Sequence, residues 1–275
     1  MSVAEVRQAE STGPLTQARQ PESTGLLPGA RLSMARAVLL LIEWNIRREK
    51  AMWPLVIVLQ IGLSCAVVLG FGLYVGDPPE LFARYLATGA GTLTLITIAM
   101  VVAPQAVSQA KLDGSLAWKK TWPVPRAAFL IADIGLWTLI ALPGFAIGMA
   151  GGAVRYHVDL SPQPWVILVL LAIATTAASI GYSFAVLLTP EIAQLVTQAL
   201  TFIVLLFSPV SFPAERMPGW LQTAHEFLPI EPMAQLMRAA MMPDAFNVEA
   251  RSVIVLAIWV VAGLAGAQAA LRRRV

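Results

Sequence analysis

The sequence predicts an all-α, polytopic membrane protein with six membrane-spanning helices. Three observations carry that prediction. Apolar residues make up 57% of the 275-residue chain and charged residues 13%, whereas a soluble domain is about a quarter charged. The mean hydropathy is +0.71. The charges are segregated, leaving long runs close to the roughly 20 apolar residues that a spanning helix needs.

The bases set the expected orientation. With six spans and a cytoplasmic N-terminus, Arg7, Arg19, Arg31, Arg36, Arg47, Arg48, Lys50, Lys111, Lys119, Lys120, Arg126, Arg272, Arg273 and Arg274 fall on or near the cytoplasmic side. Arg84, Arg155, Arg216, Arg238 and Arg251 fall outside. Such an excess marks the cytoplasmic face. The net charge of +3 does not imply nucleic acid, because the bases flank spans instead of lining one surface. The single cysteine, Cys65, excludes an intrachain disulfide and a cysteine zinc site. No apolar run precedes Met34, so the first span is expected to insert as an uncleaved anchor.

Residues 1–30 are polar and contain a twelve-residue echo, Glu10-Ser-Thr-Gly-Pro-Leu15 recurring as Glu22-Ser-Thr-Gly-Leu-Leu27. Two copies are too few for a solenoid, and a disordered cytoplasmic tail is expected. Residues 31–50 read as an amphipathic helix. Arg36, Glu43, Arg47 and Lys50 share one face; Val38, Leu39, Leu41, Ile42 and Ile46 supply the other. Such a helix can lie in the headgroup plane. An early start to the first span is the alternative.

The first span is expected over 54–75, with Gly62, Ala66 and Gly70 as a stripe that lets another helix approach. The second is expected over 85–107. Its Thr94, Thr97, Pro104 and Ser108 suit either a pathway wall or plain packing, with each threonine bonding its own backbone. The third is expected over 127–152. Asp133 is costly there and should pair with a base such as Arg126, or else serve a proton or substrate. Pro143 should kink the helix, and Gly144, Gly148 and Gly152 form a second close-packing stripe. The fourth span is expected over 165–188, anchored by Trp165. Pro190 then takes the first position of the next helix.

The fifth span, 192–207, carries the most polar stripe: Glu191, Gln194, Gln198, Thr201 and Ser208. These amides are unfavourable against lipid and should look into the bundle, toward a partner helix or a path. Thr94, Thr97, Gln194, Gln198, Thr201 and Phe202 are the candidate path residues. Residues 209–247 hold too many Leu, Met, Phe and Trp for an exposed loop. Two short helices broken at Pro229 and Pro232 are expected, as a re-entrant hairpin packed on protein. The sixth span is expected over 252–271, with Gly263 and Gly266 as packing notches.

The loop 111–126 is the basic interruption between the second and third spans. Lys111, Lys119, Lys120 and Arg126 stand against Asp113. Ser115 to Thr121 can form a short helix, which Pro123 and Pro125 stop. Such a helix locked between two spans can pass force into the bundle; a merely solvated basic loop is the alternative. No phosphate-binding glycine loop is present, so this chain should bind no ATP or other cofactor itself. His225-Glu226 lacks the second histidine of a zinc protease helix, and His157 stands on a separate loop. No Gly-x-Ser-x-Gly elbow occurs.

Gly114-Ser-Leu116 followed by Pro123-Val-Pro-Arg126, Phe212-Pro213 with Leu221 after Pro218-Gly-Trp220, and Leu228-Pro229 followed by Arg238 together resemble the membrane subunit of ABC-2-type exporters. That group includes the daunorubicin-resistance permeases. The likeness covers about residues 31–275. One departure is that Ala117 and Trp118 stand where the family often has an acidic residue. The resemblance implies a dimer with a second copy or a paralogue, docked on separate ATPase subunits that carry ATP and Mg. It places Lys111, Asp113, Gly114, Leu116, Trp118, Lys119, Arg47 and Glu191 at the ATPase contact. It places Phe212, Pro213, Trp220, Leu221 and Pro229 at the outer gate, and the path between the second and fifth spans. The expected role is export of an amphiphilic drug, natural product or lipid across a bacterial plasma membrane by alternating access, with both termini cytoplasmic. A glycan or polysaccharide lipid as cargo is an alternative. So is a membrane scaffold that recruits a partner through the basic loop. A lipid-directed enzyme using Asp133 or Glu191 is disfavoured, since neither has a neighbouring His, Lys or second carboxylate for acid–base work.

Overall fold

Long runs of Leu, Val, Ile and Ala leave a chain in lipid with the helix as its simplest way to satisfy the backbone. The computed structural model describes residues 33–272 apart from 77 and 120, and these contain helices and no strand. The expected tail 1–30, Lys120, Arg273 and Arg274 lie outside the described residues. Helix α1 is Met34–Glu49 and α2 is Trp53–Val75. The second span is α3 (Glu80–Thr97), a π-helical turn (Ile98–Val102) and α4 (Ala103–Leu112) in one line. The short α5 is Ser115–Lys119, followed by α6 (Arg126–Tyr156), α7 (Val166–Leu187) and α8 (Pro190–Phe207). Then come a 3-10 turn (Ala214–Arg216), α9 (Gly219–Phe227), α10 (Ile230–Met241) and α11 (Ala250–Arg272). Six of these stretches are long and apolar enough to cross a membrane.

The second span lies at the centre. Of its most apolar window 89% is buried, against 17% for α8, 22% for α11 and 28% for α2. It also runs longer than the expected 85–107, from Glu80 to Leu112. Pro104 has no N–H to offer the Met100 carbonyl, and its ring would crowd that group. The π turn just before it widens the helix there. Helix α7 closes on the same spot through Gly181, where a Cβ would meet Pro104 Cγ at 2.2 Å and the Met100 carbonyl oxygen at 2.6 Å.

Helix α6 continues past the expected end at 152 to Tyr156, and His157 terminates it with φ 53°. Its glycine stripe meets α3 backbone to backbone. A Cβ on Gly148 would lie 2.6 Å from the Gly91 nitrogen, and one on Gly152 2.4 Å from the Ala87 oxygen. The α2 stripe behaves differently: a Cβ at Gly62 or Gly70 meets nothing within 4 Å, so these glycines are not the contact points with this chain's own helices.

Pro143 sits inside α6 and leaves a weak turn. Gln60 of α2, fully buried, fills it. Its Nε2 donates to the Ile140 carbonyl at 2.8 Å, and its Oε1 accepts from the Gly144 N–H at 2.7 Å. These are the acceptor and donor that an unbroken turn pairs with each other. Ser64, one turn on, donates to the Gly144 carbonyl at 3.2 Å. The α2–α6 contact is thus keyed by amide and hydroxyl groups at the proline.

The segment after α8 folds as two short helices, but the break falls only at Leu228–Pro229. Pro232 lies in the first turn of α10, where its missing N–H is not needed. Helix α10 is buried along nearly its whole length. It holds the end of α8: Arg238 donates to the Pro209 and Val210 carbonyls at 2.7 and 2.9 Å and stacks on the Tyr85 ring at 4.0 Å. Burial lowers the Arg238 pKa to about 10, so the guanidinium stays charged at neutral pH. His225 of α9 lies with Nε2 2.8 Å from the Phe207 carbonyl. Burial holds its imidazole below the usual range. The neutral ring therefore donates Nε2–H to that carbonyl.

Candidate functional site

At the end of the bundle that bears the basic loop, α1 and α5 are joined into one unit. Asp113 starts it. Its carboxylate accepts the Ser115 N–H at 2.9 Å, which caps α5, and Gly114 makes the turn with φ 74°, a conformation that suits glycine. Hydrogen bonding from Ser115, then the nearby Arg48 and Lys119 charges, hold the Asp113 carboxyl below the usual carboxylate range. Arg48 of α1 lies 3.6 Å from that carboxylate and donates to the Ser115 hydroxyl at 3.3 Å.

Aromatic rings complete the joint. Trp118 and Trp122 pack edge to face at 4.8 Å, and Trp122 meets Trp44 of α1 at 5.3 Å. The Lys119 ammonium and the Arg48 guanidinium sit over the Trp44 ring at 5.0 and 5.3 Å, in cation–π range. Trp118 keeps 55% of its surface exposed, so the unit presents an aromatic outer edge. Leu116 is half-buried against the apolar cluster that contains Val107, Leu130 and Tyr182, and α5 lies on α4. Arg47 is exposed and pairs with Glu43 at 2.6 Å.

Lys111 differs from the other loop bases. Its Nζ donates to the carbonyls of Ala185, Val186 and Leu188 at 3.0, 3.1 and 2.9 Å. It caps the C-terminal end of α7, a favourable place for a cation. In this chain Lys111 thus makes internal bonds at the end of α7. Asp133 has a partner the sequence did not suggest: Asn45 of α1 donates to it at 3.0 Å. Helix α1 rides on α6, with Ala37 and Leu41 packed on Ala128 and Ala132, while Leu39 and Leu40 stay exposed.

A cavity of about 580 Å³ opens beside this unit, between α1, α2, α4, α5, α6, α7 and α8. Most of its wall area is apolar, from residues such as Met52, Trp53, Val56, Leu136, Trp137 and Ile140, but the charged Arg48, Glu49, Asp113, Lys119 and Asp133 line it too, with Gln105 and Gln194. That size and lining suit a drug-sized or lipid-like ligand. Of the candidate path residues, Gln194 reaches this cavity. Gln198 and Phe202 are exposed on α8, as is Glu191 in its first turn. In this chain alone they lie on the outer face of α8, while Ser208 of the same stripe is buried. Thr201 donates to the Thr197 carbonyl at 3.0 Å. Thr94 is fully buried, donates to the Ala90 carbonyl at 2.9 Å and lies 3.1 Å from the Ser64 hydroxyl. It is packing and not wall. Thr97 is half-buried just before the π turn.

At the opposite end, Phe212 packs against the main core and Pro213 opens the 3-10 turn. Leu221 is half-buried, Pro229 is buried at the start of α10, and Trp220 is exposed. Among the described residues no three His, Cys, Asp or Glu gather as a metal site. Sequence reasoning missed Asn45, Gln60 and Trp44. The available signal for Gln60 was its position as a lone amide in the apolar helix α2, opposite a proline-bearing span.

Fold and site together define a multi-pass membrane bundle with a basic α1–α5 unit at one end and a cavity beside it. The sequence matches the ABC-2 type transporter family over residues 36–242. The chain belongs to that family and is the permease component of an ABC transporter. No curated protein matches the sequence.

Proposed function

We propose that this chain is the permease of an ATP-driven exporter and that a separate ATPase, carrying ATP and Mg, grips the α1–α5 unit. The carrying observation is mechanical. Arg48–Asp113 and the Trp44–Trp118–Trp122 cluster join α5 to α1, while α5 lies on α4 and Lys111 fastens α4 to α7. A push on this α1–α5 lever therefore reaches α4 directly and, through Lys111 of α4, the end of α7. The family membership supports an ATPase partner in general. The basic end lies in the cytoplasm of a bacterial cell, with both termini there, by the positive-inside argument.

The apolar cavity favours an amphiphilic drug, natural product or lipid as cargo, and a plain scaffold would need no such cavity. The exposed Gln198–Phe202 face of α8 suits a second permease copy, and the α9–α10 segment an outer gate. The test is affinity purification of the chain from its host. The expected result is a stoichiometric ATPase partner that is lost when Leu116, Trp118 and Lys119 are all replaced by Ala, while the permease melting temperature holds. Purification with no nucleotide-hydrolysing companion overturns the reading.

A further inference from the structure

We infer that Asp133, through its hydrogen bond with Asn45, is the positioning residue by which the lever moves the cavity wall. The inference rests on the permease reading above. Within the 31-residue helix α6, Arg126 and Arg155 stand at the two ends and Asp133 is the one Asp, Glu, Lys, Arg or His between them. A charge or a polar group at that depth is disfavoured, so its presence calls for a function or a firm partner. The partner is on the lever. Asn45 is 5% exposed and follows Ala37 and Leu41 at four-residue spacing, so all three share one face of α1. That face lies on the first two turns of α6, at Ala128, Ala132 and Asp133. The aliphatic contacts can slide. The Asn45–Asp133 bond, 3.0 Å long, fixes their register.

Position does the rest. Asp133 lines the 580 Å³ cavity together with Leu136, Trp137 and Ile140, the next two turns of the same helix. Ile140 is also the residue whose carbonyl Gln60 holds at the Pro143 turn. The cavity-lining part of α6 is therefore bounded by a joint to α1 at Asp133 and a joint to α2 at Pro143. Lys119 of α5 lines the same cavity and sits over Trp44, one residue before Asn45. A shift of α5 pulls Trp44 and Asn45 together, and Asn45 turns α6 through Asp133.

A structural bond and a transmitting bond give different results when both partners are replaced. Removing both groups with apolar side chains of similar size leaves no orphaned polar atom and is close to neutral for stability. The experiment uses the full permease–ATPase complex in nanodiscs, with Cys65→Ser and Leu136→Cys introduced so that a maleimide reports the cavity wall. In the parent complex, ATP plus vanadate changes the labelling rate by five-fold or more. With Asn45→Leu and Asp133→Leu together, the complex still forms, melts as the parent does and hydrolyses ATP, but the labelling rate no longer responds to nucleotide. The exchanged pair, Asn45→Asp with Asp133→Asn, restores the response. A double-Leu complex that responds as the parent does, or an exchanged pair that stays silent, overturns the inference while leaving the permease reading intact. A parent chain that holds no ATPase overturns the permease reading and the inference with it.

Discussion

Replacing Gln60 by Met tests whether the proline turn of α6 is held from α2. Methionine matches the glutamine in length and leaves two buried backbone groups, the Ile140 carbonyl and the Gly144 N–H, without the amide that now pairs them. An orphaned buried group costs ~1–3 kcal/mol, whereas interhelical bonds in bilayers average about 0.6 kcal/mol with a maximum near 1.7. Two such groups give a destabilisation of about 1–4 kcal/mol. Reversible unfolding in mixed micelles, titrated with a denaturing detergent, reads this directly. The argument also predicts a coupling. With Pro143→Ala, residue 143 regains its N–H and a regular turn can pair Ile140 with Gly144, so Gln60→Met costs less in that background. A double-mutant cycle isolates the difference. A Gln60→Met chain as stable as the parent, or one that loses the same amount with and without Pro143, refutes the reasoning.

Three further outcomes follow from the same geometry. Lys111→Met removes a cation from three carbonyls at the end of α7; thermal unfolding should show a loss of about 1.5–3 kcal/mol, the range for hydrogen bonds to a charged group. Arg48→Glu sets two carboxylates against each other at the α1–α5 joint while leaving the Asp113–Ser115 cap in place, so it should lower ATPase retention in pull-down, and Arg48→Lys should keep it. His225 has its pKa lowered by burial, so the unfolded chain binds the proton more readily. Its contribution is complete above the ordinary histidine range near 6.5 and is lost as pH falls below it. Hydrogen-exchange protection factors of the Gly219–Phe227 helix, with the intrinsic pH dependence of exchange divided out, should therefore fall between pH 7.5 and 5.5, and His225→Gln should remove that fall.

The spans were legible because composition alone dictates them: runs with almost no charge have one stable backbone form in lipid. Their ends were less legible. The π turn before Pro104 had no signal in the sequence, and the second span runs beyond the expected 85–107, from Glu80 to Leu112. The glycines at 148 and 152 announced a close contact, yet the Gly62–Ala66–Gly70 stripe has the same four-residue spacing in the sequence, and its two glycines make no such contact. The polar partners were harder still. Asn45 finds Asp133 and Gln60 finds Ile140 across 88 and 80 residues, and such pairings depend on which helices pack side by side. Lys111 read as one more base of the loop. Only the fold, by bringing the end of α7 beside it, makes it a cap. The α8 amides divide in a way that spacing alone does not show: Gln194 reaches the cavity, while Gln198 lies on the outer face of this chain.

The central claim is that the α1–α5 unit is the point where an external ATPase takes hold. The most direct measurement places a photo-cross-linking amino acid at position 118, where the tryptophan is 55% exposed, and irradiates intact cells. The account predicts one dominant adduct, between this chain and a nucleotide-hydrolysing subunit on the cytoplasmic side. Adducts only with lipid, or labelling of position 118 by a membrane-impermeant reagent from outside the cell, contradict it.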